Sequence, residues 1–480
     1  MKHRSGWVFV ATAVLALSQC ASAIAQPATT RPNFLFIITD DQRWDELGCV
    51  QKEQGDKARF PWFQTPNMDR LAAEGVRFRN AFVTDSLCSP SRAAFLTGQY
   101  NHMNTVIDNH TPMPLDTRTS GRILGENGYA TAYIGKFHHG TQKERPGYAY
   151  VASYIDQGKY QDCPFNVNGT MTPSNGWIDD IATDYAIQYM KDHVGGADRD
   201  KPFFMVLGFK SPHDPRTPPE RDRNLFVGNE WSWPVPNLDI YPPFKPVPAN
   251  PKHTPPRKHV PMDKSVVDKF RCIYAADEEV GRVLSALDEL KLTDNTMIVF
   301  VGDNGYYEGE HTLGDKRTAY EESLRIPLIV RYPKLKSKGV TCDQMALNID
   351  LAPTMLDYAG VAIPQDMQGR SWRPLLEGTN TPLRDAFFYE YFYENPYRFA
   401  PFTLAVRSSD GKLIKYPGHD DWTELFDLKN DPYETHNLFN DPGHAELQQR
   451  MLAEFDRQKD AVKYQTPEEM DRPETAGRAP

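Results

Sequence analysis

Asp40-Asp41 and Asp303-Asn304 each close an apolar run and offer hard oxygen donors, of the kind that suit calcium or magnesium and not zinc. Read separately, either pair serves equally well as a turn or a helix cap. Read together, each at the end of its own strand, they form two halves of one metal cage. Between them lies Leu87-Cys88-Ser89-Pro90-Ser91-Arg92. Pro90 suits the first turn of a helix running on through Phe95, so Cys88 would sit at a helix N-terminus, where backbone N–H groups favour negative charge. Arg92, one turn further on, could pair with an anion or a developing oxyanion. A buried or disulfide-bonded cysteine beside a surface arginine is the plainer alternative for that hexapeptide. Lys136, His138, His213 and Lys316 are further candidates, although alone each reads as a solvated charge or a structural histidine.

The elements that must position these groups are apolar runs at Asn33–Thr39, Pro202–Phe209, Thr296–Val301 and Ile326–Val330, which read as buried parallel strands. Helical stretches lie between them at Met68–Glu74, Arg92–Leu96, Ile181–His193 and Val266–Leu290. Strands alternating with helices predict a doubly wound α/β sheet, whose functional residues gather beyond the carboxyl ends of the strands. Asp40, His213 and Asp303 fall at or just after such ends. Pro212 to Pro261 holds 14 of the 39 prolines together with Trp231, Trp233 and Tyr241, which predicts an ordered excursion over the active-site face and no regular helix. After about Pro382 short aromatic strands (Ala386–Phe392, Lys412–Tyr416) and a helix around Ala445–Lys463 predict a smaller C-terminal α+β domain. The expected organisation is thus a targeting segment over 1–26, a catalytic domain over 27–381 and the smaller domain over 382–480.

Composition bounds the function. The chain has 480 residues, 40% hydrophobic and 25% charged, and a formal net charge of -10, which argues against a general nucleic-acid binder. Lys2, His3 and Arg4, the apolar stretch Gly6–Leu17 and Ala23-Ile24-Ala25 read as a signal peptide, so an exported, periplasmic or secreted protein is expected. The apolar run is too short to span a bilayer and no later segment is longer, so no integral membrane segment is expected. Lipoprotein processing at Cys20 is a competing reading, for which Gln19 is a poor fit. Cleavage would leave Cys49, Cys88, Cys163, Cys272 and Cys342; chemical conversion of Cys88 would leave an even number for pairing.

Cys88-Ser89-Pro90-Ser91-Arg92 resembles the signature of the type I sulfatases of the alkaline-phosphatase-like superfamily, in which a maturation enzyme oxidises the cysteine to formylglycine. The resemblance runs from Pro32 to about Leu438 and takes in Asp40-Asp41, Gly135-Lys136-Phe137-His138, Ser211-Pro212-His213, Gly302-Asp303-Asn304-Gly305, Gly314-Asp315-Lys316 and Tyr320 to Pro327. Gly302 departs from the more usual serine or threonine. The resemblance implies an alkaline-phosphatase-like mixed sheet flanked by helices, and a metal centre of Asp40, Asp41, residue 88, Asp303 and Asn304. Calcium is the family's usual ion, and magnesium is compatible. It implies that Cys88, as formylglycine hydrate, attacks sulfur and then expels sulfate by collapsing to the aldehyde. By the same resemblance His138 assists that collapse, Lys136 and Arg92 stabilise neighbouring charge, and His213 and Lys316 hold sulfate oxygens, with His213 favoured as the proton donor to the leaving oxygen.

The run from Gly302 to Glu322 looks like carbohydrate sulfatases of the N-acetylglucosamine-6-sulfatase and iduronate-2-sulfatase kind, which implies a sulfated glycan as substrate. Tyr306, Tyr307, Glu308 and His311 are expected at the pocket mouth, with His102, His110 and Arg317 as further possible contacts. Two other readings stand beside this one. One is hydrolysis of phosphate or phosphonate esters on the same metal chemistry; the other is a noncatalytic glycan-binding relative.

Overall fold

The computed structural model describes residues 31–139, 143–233, 236–249, 257–379, 381–394, 397, 399–468 and 470, with Met1. The targeting segment after Met1, including Cys20, lies outside the described residues. Ten strands form the main sheet: β1 (Asn33–Thr39), β2 (Val76–Phe78), β3 (Ala130–Lys136), β4 (Tyr150–Tyr154), β5 (Phe165–Val167), β6 (Thr170–Thr172), β7 (Phe203–Gly208), β8 (Thr296–Gly302), β9 (Leu328–Arg331) and β10 (Val340–Cys342). Their spatial order is β10-β2-β9-β8-β1-β7-β3-β4-β5-β6. The centre, β8-β1-β7-β3-β4, is parallel, while β9 runs antiparallel to β8. The sheet is therefore mixed.

The near-continuous apolar character of β1 follows from burial on both faces. Phe34, Phe36 and Ile38 join a core with Phe204, Val206, Val299 and Val301. Leu35 and Ile37 join a second core with Met205, Leu207, Ile298 and Phe300. The first face is covered by α2 (Cys88–Thr97), α3 (Ser120–Glu126) and α6 (Leu351–Ala359); the second by α1 (Pro66–Glu74), α4 (Ile178–Gly195) and α5 (Lys264–Glu289). Each of these aromatic or aliphatic side chains contributes about 1.5–3 kcal/mol by leaving water. Among the described residues no helix is long and apolar enough to cross a membrane.

Two glycines are dictated by close approach. A Cβ on Gly135, whose φ is +83°, would lie 1.9 Å from the Gly208 carbonyl oxygen, so β3 and β7 could not pair beside the site. A Cβ on Gly302 would lie 2.8 Å from the Gln42 carbonyl, which accounts for the glycine at this position in this chain.

A separate antiparallel sheet, β11 (Ala386–Tyr391), β12 (Thr403–Ser408), β13 (Gly411–Lys415) and β14 (Glu424–Asp427), is backed by α7 (Ala445–Ala461) through Met451 and Phe455. Its core is continuous with Leu87, Ala94, Tyr100 and Tyr320, so this smaller α+β unit packs directly onto the start of α2. Part of the proline-rich excursion is anchored: the buried Asn237 amide donates to Glu322 Oε1 at 2.9 Å and to the Tyr433 carbonyl at 3.1 Å. All five cysteines described are free thiols, so the count of residues left for pairing has no disulfide behind it.

Candidate active site

Register brings the site residues into one row. Thr39 lies opposite Gly302, and Ile38 and Gly135 both lie opposite Gly208. Asp40, Asp303, Lys136 and the loop that carries His213 therefore leave the sheet side by side. The Asp40 amide donates to the Ser211 carbonyl at 2.9 Å and the Asp303 amide to the Thr39 carbonyl at 3.0 Å, extending the ladder past the strand ends. Asp41 then takes a left-handed conformation (φ +65°), uncommon for a residue with a Cβ, and its amide donates to Asp303 Oδ1 at 3.1 Å. This turn directs two consecutive carboxylates into one niche.

Asp40, Asp41 and Asp303 are buried, with ligand oxygens within 4.8 Å of one another. Asn304 Nδ2 donates to Asp41 Oδ1 at 2.7 Å and to the Gly305 carbonyl at 2.8 Å, which fixes the amide; its Oδ1 is buried without a hydrogen-bond partner. Buried acceptors are almost always satisfied, so an orphaned amide oxygen beside three carboxylates fits a cation. The donors of Asp40, Asp41, Asp303 and Asn304 are all oxygen, which suits calcium or magnesium; Cys88 and His213 also lie within ligand distance of Asp40. Burial and the charge of Asp40 push Asp303 up to about 7. Burial also opposes ionisation of Asp40, but Lys136, His213 and Arg92 outweigh it and hold Asp40 well below the usual carboxylate range.

Cys88 opens α2 with its Sγ 3.4 Å from Asp40 Oδ1. Burial and Asp40 push its thiol well above the usual range. Ser91 Oγ, one turn on, donates to the Asp303 carbonyl at 2.5 Å, and Arg92 Nε donates to Asp303 Oδ2 at 2.9 Å, so the helix is stitched to the end of β8. Lys136 pairs with Asp40, and Lys316 with Asp41. Burial opposes the charge on Lys316, and Asp41 overcomes this, holding its pKa well above the ordinary lysine value. His213 Nε2 lies 3.9 Å from Asp41 Oδ2 while Nδ1 sits 2.5 Å from the Asp214 carbonyl; burial and Lys136 drive this imidazole down to about 3. His138, also left-handed (φ +58°), has a buried Nδ1 without a partner, and burial together with Lys136 keeps the ring neutral. Its neighbour His139 instead places Nδ1 2.6 Å from Ser89 Oγ and stacks edge-on against Phe137.

The residues expected at the mouth fare differently. Tyr306 reaches it, donating its hydroxyl to Asp214 at 3.1 Å beside His213. Glu308 is ion-paired with Lys269 at 2.8 Å. Tyr307 and His311 are buried, Tyr307 sharing a hydrogen bond with Thr318 and His311 stacking on Tyr320 at 4.0 Å, so neither lines the mouth. His102 is likewise turned inward, with Nδ1 2.7 Å from Glu390. Arg317 is ion-paired with Glu394 and stacked over Tyr397, and His110 is exposed.

The groups that support these side chains from behind carry no motif in the sequence. Gln157 Oε1 accepts from Lys136 Nζ at 2.6 Å, and the Gln157 carbonyl accepts from Lys210 Nζ at 3.0 Å. Asp179, in the first turn of α4, accepts from the Lys210 amide at 2.8 Å and from the Ser211 amide and hydroxyl at 3.1 and 2.6 Å. It thereby holds the loop that carries His213. An acidic residue in the first turn of a long helix looks like ordinary dipole pairing, so only the fold reveals this contact. Asp179→Asn would present an amide N–H to the Ser211 donors, and is expected to cost about 1–3 kcal/mol of stability. It should also lower kcat/KM by about tenfold or more; thermal melts and steady-state kinetics check both.

Residues 32–361 match the sulfatase family, and residues 309–461 match the C-terminal region described as N-sulphoglucosamine sulphohydrolase. The chain belongs to the sulfatase family. This sulfatase is 30% identical over 533 aligned positions to an N-acetylglucosamine-6-O-sulfatase of Bacteroides thetaiotaomicron, the alignment covering 98% of this chain and 93% of the relative. It is 28% identical to the N-acetylglucosamine-6-sulfatase of Capra hircus over 76% of this chain and 67% of the relative. It also superposes with a TM-score of 0.77 and 30% identity on a solved structure in complex with its substrate D-glucosamine-2-N,6-O-disulfate, covering 92% of this chain and 100% of the other. This sulfatase is therefore an enzyme whose sheet, flanking helices and small C-terminal unit follow the architecture of carbohydrate sulfatases.

Proposed function

We propose that the enzyme releases inorganic sulfate from a sulfated glycan, at an O-sulfate on an amino sugar, through a calcium-dependent formylglycine made from Cys88. One observation carries this reading: the atom at the end of side chain 88 faces a carboxylate cage with an orphaned amide oxygen, ringed by Lys136, Lys316, His138 and His213. The two N-acetylglucosamine-6-sulfatase relatives and the substrate-bound neighbour support the choice of sugar.

Asp40, Asp41, Asp303 and Asn304 would hold the ion, with an oxygen on residue 88 completing the set. A divalent ion held by these residues would supply Lewis acidity to that oxygen and to the sulfate. Formylglycine that has added one water across its carbonyl would supply a geminal diol, one hydroxyl for attack at sulfur and the other, on losing its proton, for expelling sulfate and restoring the aldehyde. The chain does the rest. Lys136 and Arg92 offset the charge of Asp40 and Asp303, so the cage tolerates an incoming anion. Lys316 presents a persistent ammonium to the sulfate oxygens. His213, anchored through Nδ1 to the Asp214 carbonyl, leaves Nε2 facing the cage, where a proton taken up with the anionic substrate can pass to the leaving oxygen. His138 handles the proton at position 88. Export through the segment over 1–26 and conversion by a separate maturation enzyme belong to the same reading.

Assay of the purified enzyme on a panel of sulfated mono- and disaccharides and on matched sulfate and phosphate esters tests the substrate. Sugar desulfation is expected; turnover confined to small aryl sulfates, or a preference for phosphate, would remove the reading. His213→Ala should cost about 10²–10⁴-fold on sugar sulfates, whose leaving oxygen needs a proton, and under about tenfold on an activated aryl sulfate. Equal losses on both would assign His213 to sulfate binding alone.

A further inference from the structure

Strand register places a carboxylate beside His138. β3 and β4 run parallel with Lys136 opposite Tyr154, so His138 and Asp156, each two residues past its strand end, emerge side by side. His138 Nε2 lies 3.5 Å from Asp156 Oδ1. Among the described residues, neither side chain forms another ion pair.

The turn that carries this carboxylate is fixed. Asp156 is left-handed (φ +54°), as is Gly158 (φ +59°), where a Cβ would lie 2.6 Å from the Tyr154 ring. Between them Gln157 is held at both ends, its Oε1 accepting from Lys136 Nζ at 2.6 Å and its carbonyl from Lys210 Nζ at 3.0 Å. The Asp156 backbone is thus set by its neighbours, while its side chain stays 58% exposed.

This placement selects a tautomer. A carboxylate facing Nε2 accepts from Nε2–H, and a neutral imidazole with its proton there leaves Nδ1 with a bare lone pair. Nδ1 is the buried nitrogen without a partner. Burial, then the charges of Lys136 and Asp40, govern the ring, which therefore lies against the cage. Contacts of this kind are commonly long before substrate binds and close as charge develops.

Resting on the formylglycine reading, we propose that Asp156 is a positioning residue that fixes His138 as the Nε2–H tautomer and stabilises the imidazolium formed during sulfate release. In that step Nδ1 takes the proton of the free hydroxyl on residue 88. The O–H electron pair closes the C=O bond, and the C–O bond to sulfate breaks with its pair leaving on sulfate. The imidazolium then returns its proton to water.

Asp156→Gly is the variant of choice, because glycine accepts the left-handed backbone and the site is exposed. It should melt within about 2 °C of the parent. On 4-nitrophenyl sulfate kcat should fall roughly 10–10²-fold with KM within about threefold, since an orienting carboxylate acts on the proton transfer and not on binding. Nitrophenol should then appear in a burst of up to one equivalent, release having become limiting. Formate, which fits the vacated space, should restore activity severalfold in Asp156→Gly and not in His138→Ala. In 15N-histidine spectra of the parent, the resonances that His138→Ala removes should be those of Nε2–H and a bare Nδ1. An Nδ1–H tautomer, a loss confined to KM and melting temperature, or no response to formate would overturn the positioning role. A parent with the Nε2–H tautomer that hydrolyses no sulfate ester would instead remove the formylglycine reading and leave the Asp156–His138 pairing standing.

Discussion

Cys88→Ala is expected to abolish sulfate release, with kcat falling by about 10⁴-fold or more, as loss of a nucleophile does elsewhere. The side chain is buried at the start of α2, 3.4 Å from Asp40. Removing one buried sulfur leaves a small void and costs about 1–2 kcal/mol, so the variant should still fold. Cys88→Ser separates attack from release. A hydroxyl at the same position can take the sulfuryl group but has no second hydroxyl with which to expel it. The expected trace is a burst no larger than one equivalent of alcohol, with labelled sulfate retained on the protein. Sustained turnover by either variant, measured with enzyme from a host lacking contaminating sulfatase, would mean that the nucleophile is elsewhere.

Removal of the divalent ion should have the second largest effect. Burial, and after it the charges of Asp40 and Asp41, push Asp303 up to about 7, and an ion caged among the three carboxylates would relieve their mutual repulsion. Dialysis against a calcium chelator is expected to lower kcat/KM by about 10³-fold or more, since Lewis-acid activation and charge uptake are lost together. It should also lower the melting temperature by on the order of 5 °C, the linkage expected when a ligand held far above its dissociation constant is withdrawn. Calcium should restore both, and zinc neither. Asn304→Ala should weaken calcium, because the orphaned Oδ1 is lost, and should also cost about 1–3 kcal/mol of stability through the two hydrogen bonds its Nδ2 gives to Asp41 and the Gly305 carbonyl. Full activity in a sample shown by elemental analysis to hold far less than one divalent ion per chain would dismiss the cage.

The strands that carry the cage were legible because they are apolar on both faces: β1, β7 and β8 stand out as unbroken runs and end at Asp40, just before the His213 loop, and at Asp303. By contrast β3 mixes alanine, threonine and glycine with two large side chains, so Lys136 and His138 were reached through a motif and not through an element. Which way a side chain turns was not legible at all. His311 follows the metal segment as closely as Tyr306 does, yet Gly309, His311 and Thr312 take positive φ angles and roll the chain so that the imidazole faces Tyr320. The cage ligands could be paired across the sequence because parallel strands align their ends. Gln157, Asp179 and Lys210 touch the site from elements whose neighbourhood depends on the whole sheet order, which local sequence does not carry.

Mass spectrometry of the tryptic peptide Asn80–Arg92, from protein coexpressed with a formylglycine-generating maturation enzyme, tests the account most directly. The predicted result is a peptide in which the Cys88 CH₂SH has become CHO, captured by a hydrazide reagent in proportion to specific activity across preparations. A fully active preparation in which Cys88 remains an unmodified, alkylatable thiol would contradict it.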